Sequence, residues 1–314
     1  MTTAVFEVRR AVRDALAALP DAARRAPLVV GCSGGADSLA LTLAAAAVRG
    51  PDDVRAVVVD HRLQDGSAGR AAATVALLAE RGIAARVQAV DVTGPGGIEA
   101  AARPHPDCPI LLGHTLDDQA ETVLLGLGRG SGARSLAGMR RWDPPWLRPL
   151  LTVRRTTTRA ACAGLEVWDD PHNADPRFTR VRLRHEVLPL LEDVLSGGVA
   201  EALARTAEQL REDVDALEAV AAQLLAATCT PAAPTPELDL GVLADVPPAL
   251  RRRVLRAWLT AAGVTGLTAT HLHAADALAA HGPDRAGVAV PGGLELYRAH
   301  GRLGIRPVRW PSAR

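Results

Sequence analysis

The sequence contains no lysine, and all 36 of its basic residues are arginine. A Walker A phosphate loop needs the lysine of its Gly-Lys-Ser/Thr end. Pyridoxal and Schiff-base enzymes need a lysine amine that attacks or holds a carbonyl group. The absence of lysine therefore excludes both kinds of site.

Cysteines are few and widely spaced. The chain has four, and no two of them form a Cys-x-x-Cys pair: Cys32, Cys108, Cys162 and Cys229. This spacing argues against a zinc knuckle, an iron–sulfur site and a disulfide scaffold. We therefore expect a reducing compartment and a cytoplasmic protein.

Long apolar runs are missing as well. Nowhere do 18 apolar residues follow one another without a charge, so we expect no membrane span and no membrane partner. The first residues carry charges at helical spacing in place of an apolar signal core, which argues against secretion. The composition, with 48% hydrophobic and 23% charged residues in 314, is that of a globular chain long enough for two domains.

The formal net charge of +1 conceals an uneven distribution. Residues 129–159 carry eight arginines against Asp143 alone, and residues 285–314 carry six arginines against Glu295. Residues 201–218 carry six acidic residues against two arginines. Basic blocks in a nearly neutral chain are typical of a protein that binds a polyanion on selected faces, although arginine blocks also occur as plain solvated surface.

Short apolar runs alternate with helical stretches over the first 127 residues. We expect strands at 27–31, 54–59, 85–90 and 108–113, and helices at 37–48, 68–81 and 117–127. Strands separated by helices of this length predict an α/β fold, a parallel sheet with helices on both faces. Such sheets bind ligands at the carboxyl ends of their strands.

Beyond residue 127 the sequence pattern differs from one segment to the next. Residues 128–160 read as an ordered loop region, followed by a helix at 156–163 and a last edge strand at 165–168. An apolar stripe over 203–224 predicts a long helix, and 229–236 a proline-rich linker. The stripe is expected to pack in a core, with a homodimer interface as the alternative. We predict an α/β domain at 1–192 and a smaller, mainly helical domain at 193–314.

The first candidate site lies between a predicted strand and a predicted helix. It consists of Ser33, Gly34, Gly35, Ala36, Asp37 and Ser38. Glycines let backbone amides approach an anion, hydroxyl groups add donors, and the helix amino terminus supplies positive potential. This arrangement predicts a pyrophosphate cradle. The alternative is an ordinary strand-to-helix turn capped by Asp37 or Ser38.

This loop resembles that of the PP-loop ATP pyrophosphatases, which cleave ATP between its α and β phosphates. The segment GHTLDDQAET at 113–122, followed by RGSG at 129–132, is similar to the tRNA(Ile)-lysidine synthases of that superfamily. Further matches to this family are DHRL at 60–63, RPLL at 148–151, DPHNAD at 170–175, Phe178, Arg180, Arg184 and VLPL at 187–190. They cover residues 28–191. Arg62 departs from the family's usual glycine, and Val181 from its common asparagine.

The resemblance implies a two-step reaction on tRNA. ATP adenylates the C2 oxygen of the wobble cytidine in the CAU anticodon of tRNA(Ile), and pyrophosphate leaves. The side-chain amine of free L-lysine then displaces AMP, giving lysidine. ATP and Mg²⁺ are the implied cofactors, and tRNA(Ile) and L-lysine are the implied partners. The cytidine must be unstacked to reach the cradle.

Acidic residues on one predicted helix gain a role from this resemblance. Acids in a first helical turn commonly complement the helix dipole and nothing more. The family pattern instead implies that Asp37 and Asp118 hold Mg²⁺. Asp117, Asp118 and Glu121 would bind lysine or metal, and one of them could help to deprotonate the attacking amine.

The same pattern implies roles for residues at neighbouring strand ends. His114 is a candidate catalytic residue, and a scaffold histidine is the alternative reading. Arg180 and Arg184 would neutralise charge at the α-phosphate, unless they form a surface or domain-linking salt-bridge pair. Nucleotide contacts are expected from the cradle and from Asp60, His61 and Gly113. Contacts to tRNA are expected from Arg129, Arg134, Arg140, Arg141, Arg148 and Asn173.

Two other functions compete with this interpretation. A tRNA-thiolating PP-loop enzyme would use the same cradle, but its chemistry draws on well-placed cysteines. A nucleotide fold that only binds RNA would not need the acidic set. A cytidine deaminase is excluded because the sequence lacks its His-x-Glu and Pro-Cys-x-x-Cys motifs.

Overall fold

The structure, a computed structural model, describes residues 2–60, 66–89, 108–130, 132–230, 237–284 and 287–308. His61 and Arg62 lie outside these ranges. The chain divides into two compact units, residues 1–208 and 209–314. This division falls inside the helix Val199–Thr228. The predicted domain boundary at 192 stays a prediction.

The first unit contains a mostly parallel sheet, as the sequence predicts. Its strands in the described residues are β1 Leu28–Gly31, β2 Val54–Asp60, β3 Ala84–Ala89, β4 Ile110–Leu111, β5 Trp142–Asp143 and β6 Trp146–Leu147. They lie in the order β3-β2-β1-β4-β6-β5, and only the β5–β6 pair is antiparallel. The segments that follow β1, β2 and β4 therefore meet at one edge of the sheet.

Helices follow the strands at the expected places. Those described up to residue 228 are α1 Thr3–Ala17, α2 Asp21–Arg25, α3 Ala36–Arg49, α4 Ser67–Ala79, α5 Leu116–Gly128, α6 Ala133–Leu136, α7 Arg155–Ala161, α8 Thr179–Arg182, α9 Leu188–Val194 and α10 Val199–Thr228. A π-helical turn, Leu183–Val187, joins α8 to α9. The helices at 37–48, 68–81 and 117–127 are confirmed to within two residues at each end.

The core of the first unit forms where helical stripes meet the sheet. Val8 and Val12 lie one turn apart on α1 and are buried in one cluster with Leu41 of α3 and Val30 of β1. Burying an aliphatic side chain of this size contributes about 1.5–3 kcal/mol. This packing fixes the start of α3, and with it the cradle that precedes the helix.

The predicted edge strand at 165–168 is wrong, since within the described residues this segment forms no strand. The edge is the β5–β6 hairpin, whose Pro145 and Leu147 carbonyls accept from Ile110 N at 2.8 Å and Leu112 N at 2.9 Å. Each strand of this hairpin has only two residues, and two prolines join the strands. Strands this short show no alternation of apolar and polar residues from which they could be predicted. Residues 165–168 instead pass beside the cradle.

The second unit combines the expected helices with an antiparallel sheet that the sequence analysis did not predict. Its elements are β7 Cys229–Thr230, β8 Glu237–Asp239, α11 Leu240–Leu243, α12 Pro248–Ala261, α13 Ala269–His281, β9 Gly287–Val290, β10 Leu294–Ala299 and β11 Arg302–Pro307. The strand order is β7-β8-β11-β10-β9. Leu255 and Trp258 of α12 pack with Leu296 and Leu303 of the sheet.

The apolar stripe of α10 is buried in part, and its four leucines, Leu203, Leu210, Leu217 and Leu224, are half-buried. Ala207, Val214 and Ala221 are at most 4% exposed. A homodimer through this helix stays a prediction. Among the described helices, none is long and apolar enough to cross a bilayer.

Candidate active site

The cradle connects β1 to α3 and is closed by its own hydroxyl groups. Ser38 Oγ accepts a hydrogen bond from Ser33 N at 3.1 Å and donates to Gly35 O at 3.0 Å. Gly34 has a φ of +83°, and a Cβ atom there would lie 2.6 Å from Thr74 Oγ1 of α4. Only glycine satisfies both the left-handed backbone and this close approach.

Asp37 lies in the first turn of α3 and faces α7. Its carboxylate accepts a hydrogen bond from the Thr158 hydroxyl and lies 3.6 Å from Arg155 Nε. Burial raises the pKa of Asp37 above its usual value, and the contributions of Thr158 and Arg155 offset this only in part. The hydrogen bond from Thr158 and the charge of Arg155 therefore do not fully offset the effect of burial on the pKa of Asp37.

The second motif begins α5 with a capping box. Thr115 N and Thr115 Oγ1 donate to Asp118 Oδ2 at 2.8 and 2.7 Å, and Asp118 N donates back to Thr115 Oγ1 at 3.4 Å. Burial alone would raise the pKa of Asp118, but Arg155 and the Thr115 hydrogen bonds outweigh it and hold the pKa low. One oxygen of Asp118 caps the helix, and the other faces the cradle.

Arg155, at the start of α7, joins the two motifs. Its Nη2 atom lies 2.7 Å from Asp118 Oδ1 and 3.4 Å from Glu121 Oε1. Its backbone N–H donates to Asp117 Oδ2 at 2.8 Å. One residue thus contacts all four candidate acids, since its Nε also faces Asp37.

Arg184 approaches the same acids from the turn before α9. Its Nε lies 2.8 Å from Glu121 Oε1, and its Nη2 lies 3.4 Å from Asp118 Oδ1. The Glu121 side chain is fully buried and lies within 3.4 Å of two guanidinium groups, those of Arg155 and Arg184. The predicted arginine is therefore at the acidic cluster and not in a surface pair.

Asp117 also belongs to a second ion-pair network, which is centred on Arg154. Arg154 Nη1 lies 3.2 Å from Asp117 Oδ1, and the same guanidinium reaches Glu201 at 3.1 Å and Glu192 at 3.8 Å. These carboxylates share one arginine. Asp117 is thereby tied to α9 and α10 in addition to α7.

His114 lies three residues after β4 and is half-buried beside the cluster. Burial lowers the pKa of His114 below its usual value; Arg148 and Arg180 add to this effect, and Asp118 opposes it. Its Nδ1 atom is buried without a hydrogen-bond partner among the described residues. A neutral imidazole with an unused nitrogen can accept a proton or a hydrogen bond from a ligand.

Arg180 also faces α5 but stays exposed. Its Nη2 donates to Thr122 Oγ1 at 3.2 Å. Val181, the departure from the family pattern, is buried. Both predicted arginines, Arg180 and Arg184, thus lie along the helix that carries the acids, four positions apart.

Two predicted nucleotide contacts lie at the same sheet edge. Asp60 is buried at the end of β2. A Cβ atom on Gly113 would lie 3.1 Å from Asp37 C and Ser38 N, so glycine lets the end of β4 approach the first turn of α3. The corresponding expectation for His61 falls outside the described residues.

The predicted tRNA-binding residues differ in exposure. Arg129 and Arg134 are exposed, whereas Arg140, Arg141 and Arg148 are half-buried. Arg148 Nη1 donates to Arg140 O at 2.9 Å, and burial lowers the pKa of Arg148. Asn173 lies in the turn Pro171–Ala174, exposed, with its carbonyl 3.3 Å from His185 Nε2.

Arg154, Arg155 and Thr158 are site residues that the sequence analysis did not single out. They directly follow the RPLL segment, and both arginines entered only as members of a basic block. Their partners are far away in the chain, with Arg155 and Asp118 separated by 37 positions. Their position just after the RPLL segment was the one feature of the sequence that could have identified them.

The described residues contain no group of three or more His, Cys, Asp or Glu side chains placed to hold a metal ion. Cys32, Cys108 and Cys162 are free. Burial raises the pKa of Cys162 to about 11 and also raises the pKa of Cys32. Such thiols are protonated near neutral pH, which disfavours sulfur-transfer chemistry at this cradle.

Comparison with known proteins agrees with this geometry. A PP-loop domain family matches residues 7–106 and 107–191, and a TilS substrate binding domain matches 238–304. The tRNA(Ile)-lysidine synthase of Rhodococcus erythropolis is 52% identical over 96% of this chain and 95% of its own length. That of Mycobacterium tuberculosis H37Rv is 55% identical over 86% of each chain.

The U34-tRNA thiolase NcsA from Methanococcus maripaludis is similar in structure. Its TM-score is 0.52 at 18% identity, over 67% of this chain and 79% of the thiolase. At this identity the likeness shows the fold alone.

Proposed function

This chain belongs to the tRNA(Ile)-lysidine synthase family, an ATP-dependent ligase family, and from that premise we propose how its residues divide the reaction. ATP adenylates the C2 oxygen of the wobble cytidine in the CAU anticodon of tRNA(Ile), and pyrophosphate leaves. The side-chain amine of L-lysine then attacks C2. A C–N bond forms, the C2–O bond breaks and AMP departs, while the neutral amine gives up one proton to a base and keeps one N–H in the product.

The cradle is assigned to the phosphates of ATP. The amino terminus of α3 and the amides of Gly34 and Gly35 suit an anion. The hydroxyls of Ser33 and Ser38 already hold the loop closed. The single observation that carries this proposal is that Arg155 joins this loop to the acidic motif, because an ATP-dependent ligation needs phosphates and amine side by side.

Asp37 and Asp118 are assigned to Mg²⁺. Nucleotide-bound Mg²⁺ takes hard oxygen ligands, typically one or two carboxylates together with phosphate oxygens and water. Asp37 and Asp118 each direct an oxygen toward Arg155, so the donor set fits this mode without a third acid. When bound, Mg²⁺ would supply charge neutralisation on the phosphate oxygens.

Glu121 and Asp117 are assigned to free lysine. A buried carboxylate such as Glu121 attracts the ammonium group that does not react, while the side-chain amine must reach C2 in neutral form. His114 is assigned as its proton acceptor. Its lowered pKa keeps the imidazole neutral near pH 7, and its Nδ1 is unused among the described residues.

The arginines divide into two groups. Arg180 and Arg184 are assigned to charge that develops on the α-phosphate, since guanidinium groups bind phosphate in a fork geometry. Arg155 is assigned a positioning role, because its guanidinium contacts both Asp118 and Glu121 and aligns them. Arg129, Arg134, Arg140, Arg141, Arg148 and Asn173 are assigned to the tRNA backbone, together with the second unit.

Incorporation of labelled lysine tests the function directly. A tRNA(Ile) transcript with a CAU anticodon is incubated with ATP, Mg²⁺ and labelled lysine, beside a methionine tRNA transcript with the same anticodon. We expect incorporation that requires ATP and occurs only in the first transcript. Asp37→Asn should abolish it, whereas Asp52→Asn, at an exposed site in another turn, should not.

Two results would contradict the proposal. Pyrophosphate release that depends on this tRNA, with no lysine attached, would retain the ATP chemistry and reject lysine as the nucleophile. Full incorporation by Asp37→Asn would reject the proposed cradle.

A further inference from the structure

Trp168 contacts the cradle from outside the motifs. Its backbone N–H donates to Gly34 O at 3.0 Å. Its Cβ atom lies 3.6 Å from the point that a Cβ on Gly34 would occupy, and its carbonyl oxygen lies 3.6 Å from the same point on Gly35. The backbone and Cβ atom of Trp168 therefore lie directly against both glycines of the loop, while its ring packs on Arg70.

Helix α4 holds the other side of the loop. Arg70 Cζ lies 3.9 Å from the centroid of the Trp168 ring. Thr74, one turn later, donates to Arg70 O at 3.0 Å, and its Oγ1 lies 2.6 Å from the Cβ point of Gly34. Gly34 is thus held between Thr74 on one side and Trp168 on the other, and Arg70 connects the two.

The segment that carries Trp168 depends on side chains for its position. Within the described residues it forms no strand or helix between 165 and 170. Leu165 and Val167 pack against the core of the first unit, which leaves Trp168 directed to the loop and to Arg70. A cation above an aromatic ring is attracted by the negative face of the ring, most strongly where both are desolvated.

We propose that Trp168 is a positioning residue that holds the phosphate cradle in its ATP-binding conformation, with Arg70 as its support. This inference rests on the proposed function of the cradle. A loop with a left-handed glycine has more conformational freedom than ordinary backbone, and ordering it on binding costs affinity. The stack of the Trp168 ring on Arg70 reduces that cost, because it anchors the segment whose backbone N–H bonds to the Gly34 carbonyl before ATP arrives.

Equilibrium binding of ATP, measured by calorimetry on the full chain, tests this role. We expect Trp168→Ala to weaken ATP binding about tenfold, Arg70→Met to weaken it about threefold to fivefold, and Trp168→Phe to stay within about threefold, since a phenyl ring retains the contact. The double variant should be no weaker than Trp168→Ala, because the two side chains act as one unit. KM for lysine should not change.

A matched control separates positioning from general stability. Trp146→Ala removes a part-buried tryptophan from β6 and should lower Tm with unchanged ATP affinity. The proposal is overturned if Trp168→Ala lowers Tm but binds ATP normally, or if the effects of Trp168→Ala and Arg70→Met simply add. It is also overturned if Trp168→Phe is as weak as Trp168→Ala.

The outcome can be told apart from failure of the proposed function. If the wild type attaches lysine and Trp168→Ala binds ATP normally, only the role of Trp168 is wrong. If the wild type binds ATP without attaching lysine while Trp168→Ala binds ATP weakly, the lysine chemistry is wrong and the role of Trp168 stands.

Discussion

Arg155 Nη2 donates to Asp118 Oδ1 over 2.7 Å, across 37 positions of sequence. The same guanidinium faces Glu121 and Asp37. An arginine that is 17% exposed among these carboxylates balances their charge in the folded chain. The stability of the first unit and the alignment of its acids should therefore depend on this one side chain.

Arg155→Ala should destabilise the protein by on the order of 3 kcal/mol, because it removes one of the two guanidinium groups that pair with the buried carboxylates Asp118 and Glu121. Arg155→Lys should cost less, since it keeps the charge but loses the fork geometry. Urea unfolding measures both. Arg159→Gln, on the same helix but 59% exposed and paired only at the surface with Asp169, is the control. An Arg155→Ala protein as stable as that control would contradict the charge argument.

Gly34→Ala should reduce ATP affinity at least 100-fold, because it combines a left-handed backbone with a 2.6 Å approach to Thr74. Gly50→Ala separates the strain of the left-handed backbone from the steric contact with Thr74. Gly50 has a φ of +94° but no atom of the described structure within 4 Å of its Cβ point, so this change should cost only about 1–2 kcal/mol of stability. Thr74→Ala added to Gly34→Ala should restore part of the ATP affinity. A Gly34→Ala protein with normal ATP binding would show that the loop does not hold phosphates.

His114 should make stability sensitive to acid. Its pKa is lower in the folded chain than the usual 6.5, so the unfolded chain binds more protons below that pH. The free energy of unfolding should be retained above pH 6.5 and fall as pH decreases below it. Urea unfolding at pH 7.5 and 5.5 should show a smaller loss for His114→Gln than for the wild type. His273→Gln, at an exposed position, should behave as the wild type; equal losses in all three proteins would contradict a buried neutral imidazole.

Arg180→Ala should slow tRNA-dependent pyrophosphate release on the order of 100-fold, while ATP affinity changes little, because its charge is needed most in the transition state. Arg182→Gln is a close control. Arg182 is exposed and pairs with Glu186 one turn away, so its loss should leave the rate unchanged. Equal effects of the two changes would indicate a general electrostatic contribution and not a specific contact.

Periodicity and motifs predicted the parts of the fold that are long or chemically distinctive. The strands β1 and β2 and the helices α3 and α5 follow from apolar runs bounded by glycine and by Thr115. The β5–β6 edge was missed because its strands are two residues long. The antiparallel sheet of the second unit was missed because its strands are short and interleaved with glycines, while α10 dominated the pattern.

The site was predictable to the extent that its residues lie in motifs. Asp37, Asp118 and Glu121 were found from sequence and converge in space. Arg155 was not found, because its neighbours Arg154 and Arg159 have the same side chain and local sequence does not distinguish them. Only the fold shows which of these arginines points to the cradle.

The cations of the acidic cluster, Arg154, Arg155 and Arg184, are all guanidinium groups. A guanidinium stays protonated at any physiological pH and does not act as a nucleophile, whereas a lysine amine at the same positions would. An activated cytidine that binds at this cluster, as proposed above, therefore meets no side-chain amine belonging to the enzyme. A chain without lysine is protected from aminolysis by its own residues, and the adenylated base is left for the amino acid that enters from solution.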